Sequence, residues 1–286
     1  MPGRTLAAMR IRYVDAFAER PFTGNPAAVV VLDGDRFPAE EGMQRLAAEV
    51  NLAETAFTHR LPEGGPAGWA LRWFTPVTEV AMCGHATLAT AHVLHTTGAA
   101  TGAVRFATRG GVLGASAAGD GRITLDFPAA PLTRLDPVPA GVAEALGTAP
   151  LAAYDTGPDV GDLLVEVADE ETVRALAPDL AAVAALEHRG VIVTARAADR
   201  GTGDGAGYDV VSRFFGPAVG IPEDPVTGSA HTALAPLWAP RLGRTELTGF
   251  QASARTGLVR CALRGDRVLL IGSAVTVIEG DLLVAL

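Results

Sequence analysis

A five-residue pattern that occurs twice constrains this 286-residue chain more than any other feature. Arg72-Trp73-Phe74-Thr75-Pro76 returns as Arg213-Phe214-Phe215-Gly216-Pro217, each an R-x-F-x-P at the end of a strand-like run. In both copies a glycine then opens a helical segment, Gly84-His85-Ala86-Thr87-Leu88-Ala89 and Gly228-Ser229-Ala230-His231-Thr232-Ala233, and the second intervening loop is three residues longer. Duplicated strand, loop and helix units predict two similar lobes related by an approximate two-fold, with equivalent loops facing across a cleft. Two helix N-termini aimed at one cleft would present unpaired N–H groups and positive dipole ends. The expected ligand is therefore a small anion, even for a protein of net charge -9. The alternative is that both glycines only permit close packing at a helix start.

The remaining chain alternates short strands with helices. Strand candidates lie at 11 to 17, 27 to 33, 54 to 59 and 69 to 74, with a helix from Glu40 to about Val50 that Asn51 suits as C-terminal cap. A second helix is expected from near His85 to Thr97, ended by Gly98, before a meander at 103 to 108, 111 to 116 and 121 to 127. The proline-rich stretch Pro128 to Pro139 reads as a linker, giving an N-terminal lobe of 1–127 and a C-terminal lobe of 128–286 whose last strand is free to cross back. Beyond it, strands are expected at 161 to 167, 190 to 195, 208 to 215, 246 to 253, 257 to 263 and 267 to 273. The glycine-rich run at 197 to 207 reads as a mobile surface loop, the alternative being that its glycines cradle a phosphate, for which no phosphate-loop spacing is present.

With hydrophobic residues at 49% and charged residues at 19%, the chain is a folded globular protein. No basic run tracks a nucleic acid, no window suits a membrane helix, and no secretory signal opens the chain, so a cytoplasmic protein with neither nucleic-acid nor membrane partner is expected. Cys83 and Cys261 are too few for a disulfide framework. The six histidines form no HExxH, and a structural metal is not expected.

Glu54 sits in Asn51-Leu52-Ala53-Glu54-Thr55-Ala56-Phe57, an apolar setting of the kind that suits a carboxyl group acting as general acid/base. Asp224, shortly before the second helix, is placed to complement Glu54 or to orient His85. Taken alone, each carboxylate is more often a solvated or capping group. A thiol at a helix start, Cys83, could serve as a base. Its counterpart in the second repeat is Thr227, so no matched thiol pair exists and Cys83 reads as a small packing residue.

Several segments together resemble the PhzF family, whose members share the fold of diaminopimelate epimerase: VDAFAERPFTGNPAAVVVL, NLAETAF, RWFTPVTEVAMCGHATLATAHVL, SRFFGPAVGIPEDPVTGSAH and QASARTGLV. The resemblance implies an α+β fold of two pseudo-symmetric lobes, each a β-sheet wrapped around a central α-helix, and a homodimer without metal, flavin or pyridoxal phosphate. It implies Glu54 as the proton-transferring carboxyl and His85, Asp224 and Ser229 as groups that bind substrate and handle protons. Gly84 and Gly228 would hold a carboxylate through their N–H groups, with Cys83 lining the same site. Two departures stand out: Ala53 replaces a serine, and Thr256 replaces a glycine of the QxSxRGG run. Loss of the hydroxyl points to a different acid as substrate.

The first reading is thus a cofactor-independent isomerase shifting a proton on a small cyclic or unsaturated amino acid. The alternatives are a racemase or epimerase, which would ordinarily use two opposed thiols, and a non-catalytic binding protein with a defunct site.

Overall fold

The computed structural model describes residues 9–198 and 207–286. Most of the glycine-rich run expected to form a mobile loop, 199–206, lies outside the described residues. The chain is α+β. Its elements begin with β1 (Met9–Ala16), β2 (Asn25–Leu32), α1 (Glu40–Val50), β3 (Glu54–Arg60), β4 (Trp69–Phe74), β5 (Glu79–Val80), α2 (Gly84–Thr96), β6 (Ala103–Thr108), β7 (Gly111–Ala117) and β8 (Ile123–Pro128). Next along the chain are β9 (Thr133–Leu135), α3 (Val142–Leu146), β10 (Ala152–Asp155), β11 (Asp162–Glu166), α4 (Glu170–Ala175), α5 (Leu180–Ala184), β12 (Gly190–Arg196) and β13 (Val210–Gly216). The last are β14 (Ile221–Asp224), α6 (Gly228–Arg241), β15 (Glu246–Gln251), β16 (Gly257–Arg264), β17 (Arg267–Gly272) and β18 (Ala274–Leu282).

Two compact units result, one of residues up to Leu125 together with Gly272–Leu286, the other Asp126–Ile271. Their internal topologies match. In the first, β1 pairs with β2, β2 runs parallel to β3, β3 antiparallel to β4, and β4 parallel to β6, which pairs with β7. The second repeats this as β10, β11, β12, β13, β15 and β16. The outer strand β18 beside β1 has its counterpart in β9 beside β10. The proline-rich stretch is therefore not a free linker, because Thr133–Leu135 inside it is hydrogen-bonded into the second sheet.

The central helices explain the wrapping. α2 buries nine of its residues, including the consecutive run His85–Ala91, and so has no polar face to leave in water. Strands β1, β2, β3, β7 and β18 pack around it. Its threonines lie in the core because each hydroxyl donates to a carbonyl one turn back, Thr87 to Cys83 at 2.5 Å and Thr90 to Ala86 at 2.7 Å. On the opposite face of the same sheet, Ala28, Val30, Leu32, Phe57 and Phe74 pack against Met43, Leu46 and Ala47 of α1. Strand alternation then turns Glu54 and Ala56, out of phase with Phe57, toward α2.

α6 is likewise buried on ten residues, despite prolines at 236 and 240. A proline at 236 removes the N–H that would bond the Thr232 carbonyl. That carbonyl instead accepts from the Ala130 N–H at 3.1 Å and so keeps a partner. Helix α1 ends as its sequence suggests, with Asn51 in the left-handed region at φ 51.

Thr256, standing where the family pattern has glycine, adopts φ 54. This conformation suits glycine and strains a β-branched residue by about 1–2 kcal/mol. Glycine loses about 0.5–1 kcal/mol of that gain through greater freedom when unfolded. Thr256→Gly is expected to stabilise the protein by about 0.5–1 kcal/mol, read as a higher urea midpoint at unchanged slope; a lower midpoint would show that the threonine is not strained.

Candidate active site

The first unit gathers a carboxylate, an imidazole and a thiol at the start of α2. Glu54 opens β3, Cys83 is the N-cap of α2 and His85 is its second residue. Glu54 is only 8% exposed and Cys83 and His85 6% each, so their charges act on one another with little screening. His85 Nε2 lies 2.9 Å from Glu54 Oε2, and His85 Nδ1 lies 3.2 Å from Asn25 Nδ2 and 3.6 Å from Cys83 Sγ. A proton on Nε2 suits the carboxylate. The Asn25 amide can present either its NH₂ or its carbonyl to Nδ1, matching the neutral or the charged ring.

Asn25 was not singled out from the sequence, although the Thr-Gly-Asn-Pro run before β2 carries a signal. Gly24 at φ +69 sits so close to the Ala16 carbonyl that a Cβ would approach it to 2.2 Å. Only glycine permits that approach, and the chain then leads Asn25 into β2 facing the imidazole.

Burial works against a charged His85, while Cys83 and Glu54, wherever they carry negative charge, raise its pKa. Cys83 is itself pushed up, first by burial and then by Glu54. The thiol thus keeps its proton at neutral pH, and Glu54 is the anionic partner that remains to His85. A helix start alone would lower a thiol pKa; here burial wins.

Among the described residues, Glu54, Cys83 and His85 also form a set able to hold a metal ion, with ligand atoms all within 4.8 Å of one another. Donors around a tetrahedral zinc are spaced about 3.3 Å or more apart. The 2.9 Å between Oε2 and Nε2 is instead a hydrogen-bonding distance.

The second unit places a different set at the start of α6. Asp224 ends β14, its carboxylate accepting from the Thr227 hydroxyl and its carbonyl accepting from Gln251 Nε2 at 2.7 Å and Ser253 Oγ at 2.9 Å. Gln251 Oε1 accepts from the Thr227 N–H at 2.8 Å. The Gln and Ser of the QASARTG segment therefore brace the loop that carries Asp224. Ser229 accepts from Arg189 Nη2 at 3.1 Å, and Arg189 is in turn paired with buried Asp162 at 2.7 Å. His231, fully buried, donates from Nδ1 to the Thr227 carbonyl at 2.8 Å, and burial lowers its pKa to about 4. It is a neutral core residue.

Neither Cys83 nor Thr227 makes a side-chain cap bond to its helix. Both helices therefore start without the side-chain acceptor that commonly satisfies their first N–H groups. The repeated arginine motif also gains a physical meaning. Arg72 grips Glu79 through Nε and Nη2 at 2.7 Å each while its guanidinium lies 5.1 Å from the Phe74 ring centre. Arg213 does the same with Glu223, at 2.7 and 2.9 Å, beside Phe215. Each arginine thus stacks on the phenylalanine two residues on and clamps the short strand leading to its helix. The Arg72 guanidinium holds the Glu79 carboxyl below its ordinary range.

A duplicated sheet-and-helix unit carrying an acid and a histidine at one helix start defines an α+β protein of the diaminopimelate epimerase-like class. The chain belongs to the phenazine biosynthesis-like (PhzC-PhzF) family, which it matches over residues 14–280. It is 48% identical over 277 residues to an uncharacterized isomerase of Pseudomonas aeruginosa, covering 96% of this chain and 98% of that one. A second uncharacterized isomerase of that organism is 47% identical over 273 residues, covering 95% and 97%. The crystal structure of a PhzF-family phenazine biosynthesis protein from Enterococcus faecalis superposes with a TM-score of 0.86 at 41% identity, over 97% of this chain and 100% of that one.

Because the folded pKa of His85 is raised, its charged pairing with Glu54 contributes stability that is present below about 6.5 and lost as pH rises through the folded value. NMR titration of the histidine rings is expected to give a His85 midpoint above 6.5 and a His231 midpoint near about 4. A His85 midpoint below 6.5 would contradict the ion pair.

Proposed function

We propose that Glu54 is the acid/base of a cofactor-independent isomerase that moves a proton on a small carboxylate-bearing substrate of the cyclic or unsaturated amino-acid type. The observation that carries this reading is the buried Glu54 carboxylate held 2.9 Å from His85 Nε2 at the start of α2. That the protein is an isomerase follows from its family and from relatives of that description matched over nearly their whole length.

In this reading the Glu54 carboxylate removes a proton from one carbon of the substrate and returns it to another, the electron pair moving through the intervening unsaturation. His85 fixes the orientation of the carboxylate through Nε2–H and offsets its charge, while Asn25 fixes the ring. Gly84 and Gly228 offer N–H groups, and Ser229 a hydroxyl, to the acid group of the substrate. Asp224, held by Thr227, takes part in proton handling, and Cys83 lines the site. Ala53 supplies no hydroxyl, which favours an acid other than that of the phenazine-type enzymes. The reading includes a homodimer working in the cytoplasm on small molecules. Among the described residues no helix is long and apolar enough to cross a membrane.

Epimerisation with Cys83 as an opposing base is a second reading, favoured by the sulfur lying 3.6 Å from His85 Nδ1 and disfavoured by the raised thiol pKa. Incubating the protein in heavy water with a panel of small amino acids and unsaturated acids is expected to reveal deuterium incorporation into one of them. Glu54→Gln should lower that incorporation by at least about a hundredfold, the scale of a lost general base. Incorporation at the wild-type rate in the variant would remove Glu54 from the mechanism, and loss of turnover in Cys83→Ala would favour the thiol.

A further inference from the structure

Arg189, the residue just before β12, is anchored on several sides. Its Nε donates to Asp162 Oδ1 and to the Val160 carbonyl, both at 3.0 Å, and its Nη2 donates to Asp162 Oδ2 at 2.7 Å. The guanidinium lies 5.3 Å from the centre of the Phe214 ring. Asp162 is wholly buried, while the Arg189 side chain remains 37% exposed. The acid is locked in turn, since its backbone N–H donates to Thr156 Oγ1 at 2.8 Å and its carbonyl accepts from the same hydroxyl. An arginine so fixed has little freedom to lose when it meets a ligand.

The remaining bond of Nη2 goes to Ser229 Oγ at 3.1 Å. Arginine can only donate, and a serine hydroxyl has a single proton. The Ser229 oxygen therefore accepts from Arg189, and its own proton is turned elsewhere, free to be given to an acceptor. The duplicated frame supplies a parallel. In the first unit a charged residue opening the second strand of the parallel pair, Glu54, meets the second residue of the central helix, His85. In the second unit Arg189, beside the start of the equivalent strand, meets the second residue of α6, Ser229. The same place thus holds an acid with an imidazole in one copy and a guanidinium with a hydroxyl in the other.

We infer that Arg189 is a positioning residue for substrate recognition, fixing Ser229 as a hydrogen-bond donor and making the site prefer a carboxylate over the matching carboxamide. The inference rests on the proposed function, in which Ser229 holds the acid group of the substrate. Asp162 keeps the guanidinium in place, and its partial exposure leaves positive charge within reach of an anion.

The test is a binding titration of the full chain by NMR with 2-aminobenzoate and with 2-aminobenzamide. Wild-type protein is expected to favour the acid by about tenfold or more, the scale of one charge-assisted hydrogen bond. Because Arg189→Ala strands a buried carboxylate and can fail to fold, the principal variant is the charge-neutral pair Arg189→Gln with Asp162→Asn. It should lose about tenfold in affinity for the acid and none for the amide, as should Ser229→Ala, and joining the two changes should cost no more than either alone. A purely structural role for Arg189 would weaken both ligands together and leave their ratio unchanged. That result, additive losses, or a wild type that fails to prefer the acid would each overturn the inference. Glu54→Gln tests the proposed function separately. Deuterium exchange at full rate in that variant would count against proton transfer by Glu54 and leave Arg189 untouched.

Discussion

A helix without a polar face has to be covered on every side, and this single requirement shapes both units of the protein. α2 and α6 are buried along nearly their whole length. A flat sheet covers only one side of such a helix, so each sheet curls around its own. The termini are then the only parts of these helices where backbone groups can meet a ligand. Polar side-chain clusters are found at their N-terminal ends.

Duplication of the frame did not carry duplication of the chemistry. The Arg–Phe–Glu clamp recurs in both units with nearly the same geometry, as a structural brace that places a short strand ahead of each helix. The residues at the two helix starts differ: Cys83 and His85 with Glu54 in one copy, Thr227 and Ser229 with Arg189 in the other. Two equivalent positions around a retained scaffold have thus diverged in chemistry.

Much of this was legible in the sequence because it is local. Glycine before an apolar run marked both helix starts, Asn51 marked a C-terminal cap, and the apolar residues around Glu54 marked its setting. The short helices α3, α4 and α5 and the short strands β9, β10 and β14 are too brief for a period to show. Asn25, Asp162 and Arg189 were missed for a different reason. Their significance lies in partners far along the chain, His85 and Ser229, which no local pattern announces. Pro236 shows the same limit from the other side, since helix rules read it as a breaker and only the distant Ala130 N–H makes it harmless.

The pairing of β18 with β1 has a consequence for how the molecule comes into being. β1 opens the first unit, yet its neighbour on one side, from Ala274 to Leu282, leaves the ribosome only after all of Asp126–Ile271 has been made. Throughout translation the first sheet waits with an open edge, while the second unit already has every strand of its own. The unit begun first is therefore completed only after the second has been made.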